Sequence, residues 1–279
     1  MHAETVIEPQ TNYEPSIRDR EDAIVDWIKE QKQKLSSTQK DFHSFHLHMR
    51  DLERALLRDH THADFFSNVI KRLSPQELTL LNNLYCLWET LLERRFVQFL
   101  DKEVVKHYLD YPLYARFERL IEREVKLLDG YKPKRLLFIG SGPMPITALC
   151  LQHRLGTQID CLERYPEAVS ESQMVMKKLR MEGAINVFQG LGENHDMSKY
   201  DVILIALLAK PKEAILQNIL QHCDDDVRII CRTSDNSRHV FYEPTLDNAI
   251  PAPLVIKDYA RADVDDTISS VLLRKELQS

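Results

Sequence analysis

The chain has 279 residues, 43% of them hydrophobic, and a formal net charge of −6. That length suits one large or two ordinary domains, the apolar fraction is enough for a real core, and the mild acidity argues against nucleic acid as a main partner. The longest apolar run, Val202 to Ala209, is far too short to span a bilayer, and Met1-His2-Ala3-Glu4-Thr5 shows no basic-then-apolar leader, so no membrane association is expected.

Residues 1–18 are polar, hold Pro9 and Pro15, and are expected to form a loose tail. From Asp19 the text is helical, with no glycine between Met1 and Asp129. Ala23, Ile24, Trp27 and Ile28 repeat at helical spacing, and Phe42, Phe45, Met49, Leu52 and Leu56 mark the apolar side of a helix expected from about Ser37 to Asp59. Ser74-Pro75-Gln76-Glu77 reads as a capping box with proline in the first turn. It opens a long helix through Leu81, Leu84, Tyr85, Trp88, Leu92 and Phe96 to about Leu100. Tyr111-Pro112 interrupts the pattern, and a further helix carries Tyr114, Phe117, Leu120 and Ile121. Residues 1–129 are thus expected to be an all-α domain.

At Gly130-Tyr131-Lys132-Pro133 the texture changes. Strand-like runs at 135–139, 158–162, 185–189, 201–207 and 227–231 alternate with helical stretches at about 144–155, 165–182 and 211–222. Such alternation implies βαβ units and a mostly parallel sheet. The runs 253–259 and 268–275 have no room between them for a crossover helix and are expected to form an antiparallel edge. The fold class is therefore α/β. Residues 130–279 form a Rossmann-like doubly wound sheet with a terminal antiparallel hairpin, the outline of a domain that binds S-adenosylmethionine (SAM).

The first strand runs into Gly140-Ser141-Gly142-Pro143, and a helix follows at once. Glycines there let the backbone approach a ligand, and the helix N-terminus offers free N–H groups. The next strand ends in Glu163, roughly 20 residues on, where an acidic side chain grips a ribose diol. The competing reading of Glu163 is a solvated carboxylate at a helix start. Gly190 and Leu191 make a second tight turn at the same sheet edge, and Ala206 and Leu207 should line the crevice at the end of the fourth strand. Five cysteines (Cys86, Cys150, Cys161, Cys223, Cys231) form no C-x-x-C pair, which fits a reduced, cytoplasmic protein. His43, His46, His48, His60 and His62 lack the His-x₃-His spacing of a metal site and read as solvated helix surface. Glu89 and Glu93 share one helix face, a turn apart, and Tyr108, Tyr111 and Tyr114 form an aromatic stripe that reads equally as core.

Four strings carry a resemblance to the nicotianamine synthase family. They are Tyr111-Pro112-Leu113-Tyr114; Phe138-Ile139-Gly140-Ser141-Gly142-Pro143-Met144-Pro145-Ile146-Thr147; Tyr200-Asp201-Val202 with Ala206-Leu207-Leu208-Ala209-Lys210-Pro211-Lys212; and Arg228-Ile229-Ile230-Cys231-Arg232-Thr233. The short chain looks most like the bacterial members that make opine metallophore precursors of the staphylopine type. The resemblance implies transfer of the 3-amino-3-carboxypropyl (α-aminobutyrate) arm of SAM to the α-amino group of histidine, releasing 5′-methylthioadenosine (MTA). It implies SAM as co-substrate, no metal, a partner opine dehydrogenase in the pathway, and a homodimer as the expected assembly. It places Glu93 and Tyr114 at the reacting amine, with Glu89 as the alternative carboxylate, and Tyr111, Arg232 and Thr233 at the substrate. An internal salt bridge is the competing role for Arg232. Competing functions are a SAM-dependent small-molecule methyltransferase, a nicotianamine-like synthase with another amine acceptor, and a SAM- or metal-binding sensor.

Overall fold

The computed structural model describes residues 41–57 and 65–276, apart from 235, 245, 247, 248 and 264, together with 16, 18, 19, 22, 23, 25, 26 and 30. Most of the expected tail, Ile24, Trp27, Ile28, His60, His62 and the expected helix start at Ser37 lie outside these residues.

The chain packs as two compact units, Met1–Glu77 and Leu78–Ser279. The first holds α1 (Phe42–Leu57) and α2 (Phe65–Arg72). Asp41 starts α1, its Oδ1 accepting the His43 N–H at 3.1 Å, as an N-cap carboxylate does. Phe45, Met49, Leu52 and Leu56 recur at helical spacing along α1 and are buried. His46 stacks on Phe42 with ring centroids 5.8 Å apart. Arg72 is hydrogen-bonded to Asp22. Among the described residues, no group of three or more His, Cys, Asp or Glu is placed to hold a metal.

The capping box is present as read. The Ser74 N–H donates to Glu77 Oε2 at 2.8 Å, and the Glu77 N–H donates to Ser74 Oγ at 3.3 Å. It opens α3 (Pro75–Asp101), which buries Leu81, Leu84, Tyr85, Trp88, Leu92, Phe96, Val97 and Leu100. After a short 3₁₀ turn at Tyr108–Asp110 comes α4 (Tyr114–Leu127). Sequence reading put the domain boundary at residue 129, whereas the compact units divide at Glu77, near the start of α3. The reason lies in the core: Phe96, Val97 and Leu100 of α3 and Ile121 and Leu127 of α4 pack in one cluster with Leu136, Phe138 and Leu204 of the sheet. These helices are apolar towards the sheet, so they fold with it.

The strands are β1 (Leu136–Ile139), β2 (Ile159–Glu163), β3 (Ile185–Gln189), β4 (Val202–Ile205), β5 (Arg228–Thr233), β6 (Leu254–Ala260) and β7 (Ser269–Lys275). Between them lie α5 (Ile146–Leu155), α6 (Pro166–Lys178) and α7 (Lys212–His222). The sheet order is β3-β2-β1-β4-β5-β7-β6. β1 to β5 are parallel, and β7 runs antiparallel against both β5 and β6. The fold is therefore the expected Rossmann-like α/β sheet with its antiparallel pair at one edge. Strand order reverses between β1 and β4, and such a reversal opens a crevice at the carboxyl ends of the strands. The parallel strands are buried throughout β1, β2 and β4, as strands covered on both faces must be. Among the described residues, no helix is long and apolar enough to cross a membrane.

Candidate active site

The crevice is a cavity of about 540 Å³, within the range of small-molecule sites. Its floor is the turn Gly140–Met144 after β1, at the switch point. One wall is the end of β2 with Leu162, Glu163, Arg164 and Tyr165, next to Gly190–Glu193 after β3. Ala206–Lys210 after β4 forms another. Facing them is one side of α3, with Cys86, Glu89, Thr90, Glu93 and Arg94.

The glycine turn is held from both sides. The Gly140 N–H donates to the Leu162 carbonyl at 2.8 Å, and the Ala206 N–H donates to the Ile139 carbonyl at 2.9 Å. Gly142 has φ +70°, and a Cβ there would stand 2.8 Å from Glu93 Oε2. So this position needs glycine twice over: for its left-handed backbone and for the carboxylate lying against it. The Gly142 N–H donates to Glu163 Oε2 at 2.9 Å, and the Tyr165 N–H donates to Glu163 Oε1 at 3.0 Å. Each carboxylate oxygen keeps a lone pair in reserve, so Glu163 can still accept hydroxyls from a ligand. Ser141 Oγ is buried in the cavity wall without a hydrogen-bond partner among the described residues. An orphaned hydroxyl on a ligand-sized cavity fits a polar ligand seated against the turn.

Glu93 is half-buried on the cavity wall. Burial first, and then the charge of Glu89 one turn away, push its pKa well above the ordinary carboxylate value, with Glu163 and Glu171 adding to the rise. The Met144 N–H offsets part of this. Glu89 accepts a 2.5 Å hydrogen bond from the Tyr242 hydroxyl. Burial, then the Glu89 charge, keep that phenol protonated. Tyr242 and Glu243 sit side by side, and Glu243 Oε2 accepts from Lys210 Nζ at 2.7 Å. Cys86 shares this corner. Burial and Glu89 raise its thiol to about 12, against the opposing charge of Lys210.

The predicted residues divide. Glu93, Glu89, Gly140, Ser141, Gly142, Pro143, Glu163, Gly190, Leu191, Ala206 and Leu207 all line the cavity. Tyr114 does not. Its hydroxyl is 3.3 Å from Glu118 Oε1 and its ring meets Tyr108 edge to face. Tyr111 does not line it either; it is buried against Phe96, and its hydroxyl has no partner among the described residues. Burial and then the charges of Glu93 and Glu89 raise its pKa well above that of a free tyrosine. Of the two tyrosines, Tyr111 is therefore the one in the field of the carboxylates. Thr233 is buried with its hydroxyl 3.3 Å from the Ser234 carbonyl, and it is not part of the wall.

Arg232 reaches the cavity wall, but its guanidinium is engaged. Nε and Nη2 donate to the two Glu124 oxygens at 2.8 and 2.9 Å, and Nη1 donates to Thr147 Oγ1 at 3.0 Å. Both partners are almost fully buried, 3% and 0% exposed. Removing one side of such a pair costs about 3–5 kcal/mol, so the geometry fits the internal brace better than a substrate clamp. The Lys210–Glu243 pair is the opposite case, with side chains 54% and 51% exposed. Pairs of that kind are worth about 0.2–1 kcal/mol and exchange partners easily.

Sequence reading passed over Cys86, Thr90, Tyr242, Lys210 and Lys212. Lys212 is 4% exposed, and its Nζ donates to the Ala206 carbonyl at 2.6 Å, fixing the end of β4. Lys210 and Lys212 lie in one of the strings that carry the resemblance, which was their only signal. Tyr242 follows a segment with no periodicity, and nothing local marks it as the partner of a glutamate 153 positions earlier.

Comparison with known proteins agrees with this architecture. The family model described as nicotianamine synthase protein matches residues 19–278. An L-histidine 2-aminobutanoyltransferase of Yersinia pestis is 26% identical over 128 residues, 46% of this chain and 48% of that protein. A nicotianamine synthase of Arabidopsis thaliana is 24% identical over 218 residues, 72% of this chain and 68% of that one. With the first relatives the match spans about half of their length. The solved structure of MtNAS in complex with MTA and tNA superposes with a TM-score of 0.78 at 24% identity, over 95% of this chain and 100% of that one. A Glu→Gln mutant of MtNAS in complex with S-adenosylmethionine gives 0.76, also at 24% identity, over 94% and 99%. With a family match running across both compact units and a sheet of the same fold, this chain belongs to the nicotianamine synthase family.

Proposed function

We propose that the chain is a SAM-dependent aminobutyryl transferase that joins the 3-amino-3-carboxypropyl arm of SAM to the α-amino group of histidine and releases MTA. The observation that carries this reading is Glu93, a half-buried carboxylate with a raised pKa that lines the cavity and lies directly on the glycine turn. Transfer to an amine accounts for that placement, because an amine is mostly protonated at neutral pH and must lose a proton. The relatives named as histidine 2-aminobutanoyltransferases support the choice of acceptor.

SAM supplies the electrophile. The acceptor nitrogen bonds to the arm's terminal carbon, the carbon–sulfur bond breaks, and its electron pair stays on sulfur as the neutral thioether of MTA. The rest falls to the protein. Glu163 and the Gly140–Met144 turn hold the nucleoside, and the orphan Ser141 hydroxyl is available to it. Glu93 receives the acceptor's proton, for which a carboxylate of raised pKa is better matched than an ordinary one. Tyr111, behind the cavity wall in the field of both carboxylates, stays protonated, and we assign it the donor role in place of Tyr114. Glu89, fixed by Tyr242, adds a second negative charge that attracts the ammonium form of the acceptor. The enzyme needs no metal, works in the cytoplasm, and makes a product that suits reductive joining to a keto acid by a partner dehydrogenase.

Incubation with SAM and either histidine enantiomer, followed by mass spectrometry, tests this. The expected products are MTA and an aminobutyryl-histidine in equal amounts. S-adenosylhomocysteine with a methylated acceptor would support the methyltransferase reading instead.

A further inference from the structure

An α-amino acid acceptor brings a carboxylate as well as an amine, and the cavity must meet both. Four cationic side chains line it: Arg94, Arg164, Lys210 and Arg232. Arg232 is locked to Glu124 in the interior. Arg164 reaches Glu193 at 3.0 Å and the Lys210 carbonyl at 3.1 Å, so it ties together the loops after β3 and β4. Arg94 lies 3.5 Å from Glu171 of α6. The Arg94 pair is partly exposed, at 44% and 28%, but the Lys210 pair with Glu243, at 54% and 51%, is the most open of the four, and a ligand can enter it.

Its position is informative. Along α3, Glu93 lies on the glycine turn, and Glu89 stands one helical turn away on the same face. Glu89 leads to Tyr242 through a 2.5 Å hydrogen bond, Tyr242 is followed by Glu243, and Glu243 meets Lys210 at 2.7 Å. Carboxylates and an ammonium thus share one stretch of the cavity wall. A zwitterion has the complementary pattern. We propose that Lys210 is a specificity-determining residue that binds the acceptor's carboxylate, exchanging Glu243 for it, while Glu89 and Glu93 face its amine. The assignment rests on the aminobutyryl-transfer reading with an amino-acid acceptor.

The test is calorimetric binding of histidine and of histamine, which lacks only the carboxylate, to protein loaded with MTA. Wild-type protein is expected to bind histidine at least tenfold more tightly than histamine. Lys210→Met should weaken histidine at least tenfold and leave histamine within threefold, with MTA binding unchanged. Lys210→Arg should keep most of the preference. Glu243→Gln removes the competing carboxylate and should tighten histidine two- to fivefold. This opposite sign also serves if Lys210→Met fails to fold. The steady-state KM for histidine should follow the same pattern. An unchanged histidine-to-histamine ratio in Lys210→Met, equal loss of both ligands, or weaker histidine binding in Glu243→Gln would overturn the assignment. So would a loss confined to SAM, which would place Lys210 on the donor's carboxylate. Wild-type protein that binds and uses neither histidine enantiomer would overturn the underlying reading, and the assignment with it.

Discussion

Gly142→Ala separates backbone cost from site geometry. Gly142 has φ +70°, and a methyl group there would meet Glu93 Oε2 at 2.8 Å. A left-handed alanine costs about 1–2 kcal/mol in stability. Reaching ordinary contact requires the carboxylate to retreat by about 0.6 Å, and displacement of a reacting group by roughly 1 Å can cost about 10²-fold in rate. The control is Gly130→Ala, with φ +75° and nothing within 4 Å of the added carbon. Both variants should lose about 1–2 kcal/mol in denaturant unfolding. In a coupled assay of MTA release, Gly142→Ala should fall about 10- to 100-fold in kcat, and Gly130→Ala should stay within about twofold. Equal activity in the two variants would refute the claim that Glu93 must lie against the turn.

Four further expectations follow from the structure. Because Glu93 titrates well above an ordinary carboxylate, the acidic limb of the kcat–pH profile should lie above the usual carboxylate range, activity falling as pH falls through it, and Glu93→Gln should abolish the limb. The sign for stability is the reverse of a salt-bridged acid. A raised folded pKa gives stability that is full below the unfolded value and lost as pH rises through the folded one, so Glu93→Gln should melt higher than wild type at about pH 8, with the gap closing towards about pH 5. Tyr111→Phe removes a buried hydroxyl that has no partner among the described residues, and should lower kcat about tenfold without lowering Tm, whereas Tyr114→Phe should change kcat by less than about twofold. Arg232→Met leaves Glu124 buried and unpaired and should cost about 3–5 kcal/mol in chemical unfolding, most of it recovered when Glu124→Gln is added.

The sheet was legible because period and punctuation agree. Each parallel strand is a mostly apolar run, and its observed limits lie within a few residues of the expected ones. The glycine turn and Glu163 were legible for the same reason, since a ligand-facing turn needs both at a fixed spacing. The domain boundary was harder to see. α3 and α4 share a helical text with α1, and only their tertiary contacts show that they fold with the sheet. Arg232 and Tyr114 show another limit. Both lie in strings that carry the family resemblance, yet Arg232 serves the core and Tyr114 turns to Glu118. Asp201 is similar, since its carboxylate accepts the N–H groups of Lys134 and Arg135 and the Tyr131 hydroxyl at the start of the sheet. Local sequence gives residue types but no partners, and Glu89–Tyr242 joins positions 153 apart.

The central claim is that the carbon–sulfur bond broken is the one to the aminobutyrate arm. The most direct measurement uses SAM carrying ¹³C in that arm, incubated with enzyme and histidine and quenched after several turnovers. The account predicts that the label leaves the nucleoside and appears in an aminobutyryl-histidine, with unlabelled MTA in equal amount. Label retained in S-adenosylhomocysteine, alongside a methylated and unlabelled acceptor, would contradict it.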